Sequence, residues 1–207
     1  MARNRARWML LWRRKLLYLL PTYQFYLLPV AFLVDCVLHW LYRTSDAVVI
    51  DGILVANLSV EQDEKSRLFA GYVRDALALI REVSPVLYRR VQKNLRYIVN
   101  NAVASRAQYR RLVAACEIDF SLYNVDKYPD DRAWYAAANA SAIVHESTHG
   151  AMFARYIPYT RANRVRIERI CINRENYFVG LLPPSKYDYT VNLTKTITDA
   201  ELSVWLK

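Results

Sequence analysis

Glycine is scarce in this chain, with four in 207 residues, while 54% of the residues are hydrophobic. That balance excludes a disordered or low-complexity protein. Cysteine is rarer still, at positions 36, 116 and 171 only, and no C-x-x-C occurs. A disulfide framework and a zinc ribbon are therefore both excluded, and Cys116 with Cys171 is a pair that an oxidising compartment would join. No internal repeat is visible. Acidic residues are outnumbered, 19 against 29 Lys and Arg, for a net charge of +10. Six of those basic residues lie in the first fifteen positions, and the rest of the excess is spread thinly, densest at Arg89-Arg90 and Arg110-Arg111. With no recognisable nucleic-acid module, this distribution argues against a nucleic-acid partner.

The N-terminal basic cluster flanks an apolar run. Leu16–Val34 contains nineteen residues without Lys, Arg, Asp or Glu, long enough for a membrane span. Pro21 and Pro29 would kink such a helix, which a membrane tolerates better than water does. Tyrosine and tryptophan near its ends suit the two interfaces, and the basic end predicts a cytoplasmic N-terminus with the rest of the chain outside. No A-x-A cleavage site follows, so a removed signal peptide is not expected. An interfacial or hairpin element is the alternative geometry, given the prolines and Asp35. The expected organisation is a basic N-terminus and membrane anchor over 1–44 and one globular domain over 45–207.

Within the second part, Ala47–Val60 is β-rich around Asp51-Gly52, a hairpin signal. Gln62–Val83 keeps helical spacing through Leu68, Tyr72, Ala76 and Leu79 until Ser84-Pro85 breaks it, and Val86–Lys93 reads as a second short helix. Leu95–Val103 and Cys116–Leu122 read as strands. In the latter, Cys116, Ile118 and Phe120 alternate with Glu117, Asp119 and Ser121, the pattern of a half-buried strand. The polar loop 124–131 leads to a third helix, with Asp130 or Asp131 as its cap. A further helix is expected over Arg161–Tyr177, followed by the Leu181–Ser185 break. Thr198 and Glu201 form a capping box for a last short helix.

The third helix carries the chain's chemistry. The protein has three histidines, and two of them stand in His145-Glu146-Ser147-Thr148-His149. Histidines four apart share one helix face, so their ring nitrogens can converge on one metal ion. Glu146 is then placed to act as general base toward a water activated there. This is the H-E-x-x-H pattern of zinc peptidases, and it predicts Zn2+ as the cofactor. Such sites take three protein ligands. The metzincin continuation would need glycine at 152 and histidine at 155, where Met152 and Arg155 stand. His39 lies in the apolar N-terminal segment and reads as an interfacial or packed residue. A downstream carboxylate remains: Glu168, among Ile167, Ile170 and Cys171, or Glu175, between Arg174 and Asn176. A carboxylate on an apolar face needs a cation, which favours Glu168 and leaves Glu175 as a solvated surface residue or the alternative ligand.

With these residues in place, Cys116–Phe178 resembles the gluzincin branch of the zincin metallopeptidases, in which a glutamate from a second helix joins H-E-x-x-H. The resemblance implies an α+β, mainly helical zincin-like domain with a small β-sheet. It also implies a peptidase acting on peptide or protein substrates, and a strand, Cys116–Leu122, that takes the substrate backbone as an added strand. One position departs from the thermolysin arrangement. Ile172 stands where the aspartate partner of the first histidine would be, so that partner is missing or supplied elsewhere. The developing oxyanion needs a second electrophile, for which Tyr177, Tyr156 and Tyr159 are candidates, with Tyr177 preferred for its place on the second helix. Two rival readings stay open, a non-catalytic membrane protein with a structural metal and an interaction domain with none. A di-iron carboxylate site is excluded because no second E-x-x-H exists.

Overall fold

Hairpin geometry shows first at Asp51-Gly52. Both residues have positive φ, 51° and 84°, as a two-residue turn matched to the twist of its strands requires. It joins β1 (Asp46–Ile50) to β2 (Ile53–Asn57), antiparallel with Ile50 opposite Ile53. The computed structural model describes residues 28–58, 64–101, 103, 106–122 and 132–183. By its internal contacts the chain divides into Met1–Trp40 and Leu41–Lys207. Helix α1 (Leu28–Thr44) runs across that division. The first part of the expected membrane segment, the 124–131 loop and the capping box at 198–201 lie outside the described residues. Among the described residues no helix is long and apolar enough to cross a membrane.

After the hairpin, α2 (Glu64–Val83) and α3 (Pro85–Asn94) form where expected. Ser84 separates them: its Oγ accepts from the Leu87 N–H at 3.4 Å, and Pro85 occupies a first-turn position that needs no donor. The two helices return the chain so that β3 (Tyr97–Asn100) lies parallel to β2, a connection that parallel strands need. Next come β4 (Ala107–Arg110) and β5 (Ala115–Ile118), an antiparallel pair. The result is a mixed five-stranded sheet in the order β1-β2-β3-β5-β4, so the fold is α+β and mostly helical. Strand β4 carries no strand signal of its own. Its AQYR shows no apolar alternation, and all four residues are half-buried, because its place at the sheet edge is set by pairing with β5 and not by a core face.

One face of the sheet carries the main core. Ile53, Val55, Ile98, Cys116 and Ile118 meet Phe69, Val73, Leu77 and Ile80 of α2 and the alanine-rich α4 (Arg132–Phe153). Small residues on most of α4 let it sit buried almost throughout, and α5 (Arg161–Gly180) packs along it. Gly150 marks the closest approach. A Cβ there would stand 3.0 Å from Asn94 Cβ and 3.2 Å from Tyr109 Cε2. The absence of a side chain therefore lets α4 sit against both the end of α3 and strand β4.

The strand expected over Cys116–Leu122 is shorter than its alternation suggested, with Phe120–Leu122 forming a 3-10 turn. Nor is Glu117 on a solvated face: it is buried. Its carboxylate receives Tyr42 Oη at 2.8 Å, Gln108 Nε2 at 2.6 Å, and Arg110 Nε and Nη2 at 2.7 Å each. Tyr42, near the end of α1, covers this side of the sheet and packs its ring on Tyr97. The two cysteines that might have paired are free thiols, both buried.

Burial alone would raise the Glu117 carboxyl, but hydrogen bonds from Arg110, Gln108 and Tyr42 outweigh it and hold it below its ordinary value of 4.5. A carboxyl lowered on folding contributes stability that is present above its unfolded value and lost as pH falls through the folded one. Glu117→Gln should therefore cost about 1–3 kcal/mol at pH 7. In urea titrations the gap between parent and variant should narrow as pH drops below 4.5. An unchanged gap would show that the carboxylate's charge contributes nothing.

Candidate metal centre

Helix α4 presents His145 and His149 one turn apart on the face turned to α5, with ring centroids 5.1 Å from each other. Across from them α5 brings Glu168, whose Oε2 is 3.5 Å from His145 Nε2 and whose Oε1 is 3.5 Å from His149 Nε2. Ligands about 2.1 Å from a tetrahedral zinc lie about 3.4 Å from one another. Each separation is close to that spacing, one to each oxygen of Glu168, so the carboxylate is positioned to share a divalent metal with the two histidines. A ring nitrogen of each histidine also lies within 4.8 Å of Cys171 Sγ, one turn beyond Glu168 on α5.

The partner of the first histidine, absent at Ile172, comes from one turn further along. Glu175 Oε2 lies 2.9 Å from His145 Nδ1. A carboxylate can only accept, so Nδ1 carries a proton toward Glu175, and Nε2 is left directed at Glu168. Glu175 is fully buried, and its other oxygen takes the Ser141 hydroxyl at 2.7 Å. This corrects the expectation for Glu175. Its flanking Arg174 and Asn176 suggested solvent, but a helix buries one residue while exposing its neighbours, and Glu175 lies seven residues from Glu168 on the same face.

Glu146 is buried beside the histidines and lines a cavity of about 500 Å³ together with His145, His149 and Glu168. Burial pushes its carboxyl up, against the pull of the two histidines and with the help of Glu168 and Glu175. A carboxyl so raised is suited to take up a proton. For Glu168 burial acts upward too, but hydrogen bonds with both histidines prevail and hold it low.

Of the three tyrosines, Tyr159 is the one at the site. It lies in the connection from α4 to α5, lines the cavity, donates its hydroxyl to Glu168 Oε1, and sets its ring at 5.6 Å from that of His149. Tyr177 is 53% exposed under Arg174, and Tyr156 is also exposed; neither lines the cavity. The preference for Tyr177 therefore fails on geometry, since its position on α5 points outward. The strand expectation changes as well. Strand β5 has β3 on one side and β4 on the other, so it has no edge to offer. The strand lining the cavity is β4, at the end of the sheet, through Ala107, Gln108 and Tyr109.

The chain has no match among protein-family models, curated proteins or solved structures.

Without metal, the His145 imidazole is raised to about 9; burial opposes this, and hydrogen bonds to Glu168 and Glu175 overcome it. A metal must displace that proton, so apparent zinc affinity should fall about tenfold per pH unit below 9. Chelator competition at pH 6, 7 and 8 measures this. A flat profile would mean that His145 is not displaced from a protonated state by the metal.

Proposed function

We propose that the protein is a zinc-dependent metallopeptidase, with His145, His149 and Glu168 as metal ligands and Glu146 as general base. The observation that carries this reading is the 3.5 Å spacing of Glu168 from both histidine Nε2 atoms, beside a cavity into which Glu146 also opens. Zinc held there supplies Lewis acidity that activates water and polarises a peptide carbonyl. The chain's own groups do the rest. Glu146 takes the proton from the attacking water and hands it to the leaving amine. Glu175 and Ser141 hold the His145 ring in one tautomer. Tyr159 donates its one hydroxyl proton to Glu168 and so orients that ligand. Substrate backbone adds along β4, the sheet edge beside the histidines.

A second reading rests on Cys171. Were its thiol to join the two histidines and Glu168, four protein donors would close the site and make the metal structural. Glu146 separates the two, because a structural site has no need of a general base.

We also place the chain at a membrane, held by its N-terminal segment with that end cytoplasmic. The basic first fifteen residues and the apolar run after them support this, as do the exposed Leu33 and Trp40 of α1, each 62% accessible.

Full-length protein should bind one zinc, and His149→Ala and Glu168→Ala should each lose it. Glu146→Gln should keep the metal and lower peptide hydrolysis by about a hundredfold or more. Metal retained with hydrolysis unaltered would assign the site a structural role. For the membrane, the full chain should stay in the pellet after carbonate washing, and a chain released into the supernatant would remove the anchor.

A further inference from the structure

The cavity holds more cationic side chains than the proposed chemistry uses. Its wall contains Glu146 and Glu168 on one side of the account and Arg106, Arg111 and Arg164 on the other. Glu146 is assigned to proton transfer, and Glu168 is engaged by both histidines and Tyr159. Arg106 is tied to α4, donating to the Ala138 carbonyl. Arg111 and Arg164 line the cavity from positions far apart in sequence. One begins the turn after β4 and the other lies in the first turns of α5. Both guanidinium groups stand 5.8 Å from the ring centroid of Tyr159. Arg111 is exposed, and among the described residues no carboxylate is recorded beside it.

These positions matter because Tyr159 also touches the metal ligands. Its ring is 5.6 Å from His149, so Arg111 is no more than about 11 Å from that ring, the length of about three extended residues. A peptide laid along β4 with its scissile carbonyl at the histidines would pass Arg111 within about three residues. A divalent metal would add two positive charges to a wall already rich in arginine. The field in the cleft would then favour an anion, and a guanidinium fork on an aromatic face is suited to a carboxylate.

We infer that this site selects substrates carrying a carboxylate close to the scissile bond, with Arg111 as the specificity-determining residue. This rests on the peptidase reading of the site. The carboxylate can come from an Asp or Glu side chain or from the free C-terminus of a short peptide. Capping separates the two sources: an internal acid still selects in an amidated peptide, whereas a terminal acid does not.

The test uses full-length zinc-loaded protein in two arms. In the first, a randomised peptide mixture, half amidated and half free acid, is digested and the cleaved bonds are read by mass spectrometry. Asp and Glu near the cut in both halves would identify the side chain, and cleavage confined to the free acids near their ends would identify the terminus. Arg111→Met should reduce either preference by about tenfold, and Arg111→Glu should turn it toward Lys and Arg. Cuts flanked by neutral or basic residues, or a profile unchanged in both variants, would overturn the inference.

The second arm needs no turnover. Glu146→Gln is titrated with an acetylated peptide amide containing Asp and with its Asn counterpart, and with the Asn peptide as a free acid. One of the two carboxylate peptides should bind about tenfold more tightly than the Asn amide, and Arg111→Met should abolish the difference. If nothing is cleaved but this difference appears, the carboxylate site stands and the peptidase reading falls. Cleavage with equal binding of all three peptides would leave the peptidase and remove the carboxylate site.

Discussion

Carboxylates taken out of water are costly unless something positive or proton-donating meets them, and this domain gathers three, two buried and one half-buried, around two histidines. Glu146, Glu168 and Glu175 all face the same few ångströms between α4 and α5. Each is compensated differently. Glu175 is satisfied by the His145 ring and a serine hydroxyl, Glu168 by both histidines and a tyrosine, and Glu146 chiefly by proximity to the imidazoles, which leaves its carboxyl raised. The packing of α5 on α4 is thus inseparable from the electrostatics of the cluster. An apolar interface could slide, whereas this one is pinned by hydrogen bonds of fixed direction at Ser141, His145 and Tyr159.

The rest of the fold serves to hold α4 in place. An alanine-rich helix has little side-chain bulk with which to lock its own position, so its neighbours must approach closely and be stiff. Gly150 allows that approach at the end of α3 and at Tyr109 of β4. Strand β4 in turn is secured by pairing with β5 and by the Arg110 fork on Glu117, to which Tyr42 contributes from the other side. The network around Glu117 therefore fixes the strand that forms one wall of the cavity. A polar cluster on the far face of the sheet and the histidines on the near side are linked through one short edge strand.

Much of this was legible because helical periodicity is local. The hairpin turn, the break at Ser84-Pro85, the motif helix and α5 all follow from residue types a few positions apart. The histidine pair and Glu168 were readable for the same reason: a four-residue spacing fixes a face, and an acid among isoleucines has few ways to be stable. What stayed hidden depends on contacts distant in sequence. Glu175 appeared solvated because Arg174 and Asn176 flank it, yet its partners are 30 and 34 residues away. Glu117 seemed to face water because nothing near it in the chain predicts Tyr42, 75 residues earlier. Tyr159 competed with fifteen other tyrosines, and only the turn back from α4 to α5 distinguishes it. Strand β4 has no signal of its own, since an edge strand is defined by its neighbour.

A proton and a metal are alternative cations for the same cluster, and that has a consequence for how the domain is built. Without metal, the protonated His145 neutralises part of the charge of Glu168 and Glu175, so α4 and α5 can stay together. His145 has Nδ1 committed to Glu175 and Nε2 directed toward Glu168. On the proposed reading, a metal would take the place of that proton and would not have to fold a helix. This differs from small zinc domains, in which the ion itself supplies the folding energy. Here the sheet and the alanine-rich helix bury an extensive apolar core of their own. On the proposed reading, an ion that is not needed to hold the fold would be left to act on what enters the cavity, the physical reason to favour an open metal site over a closed one.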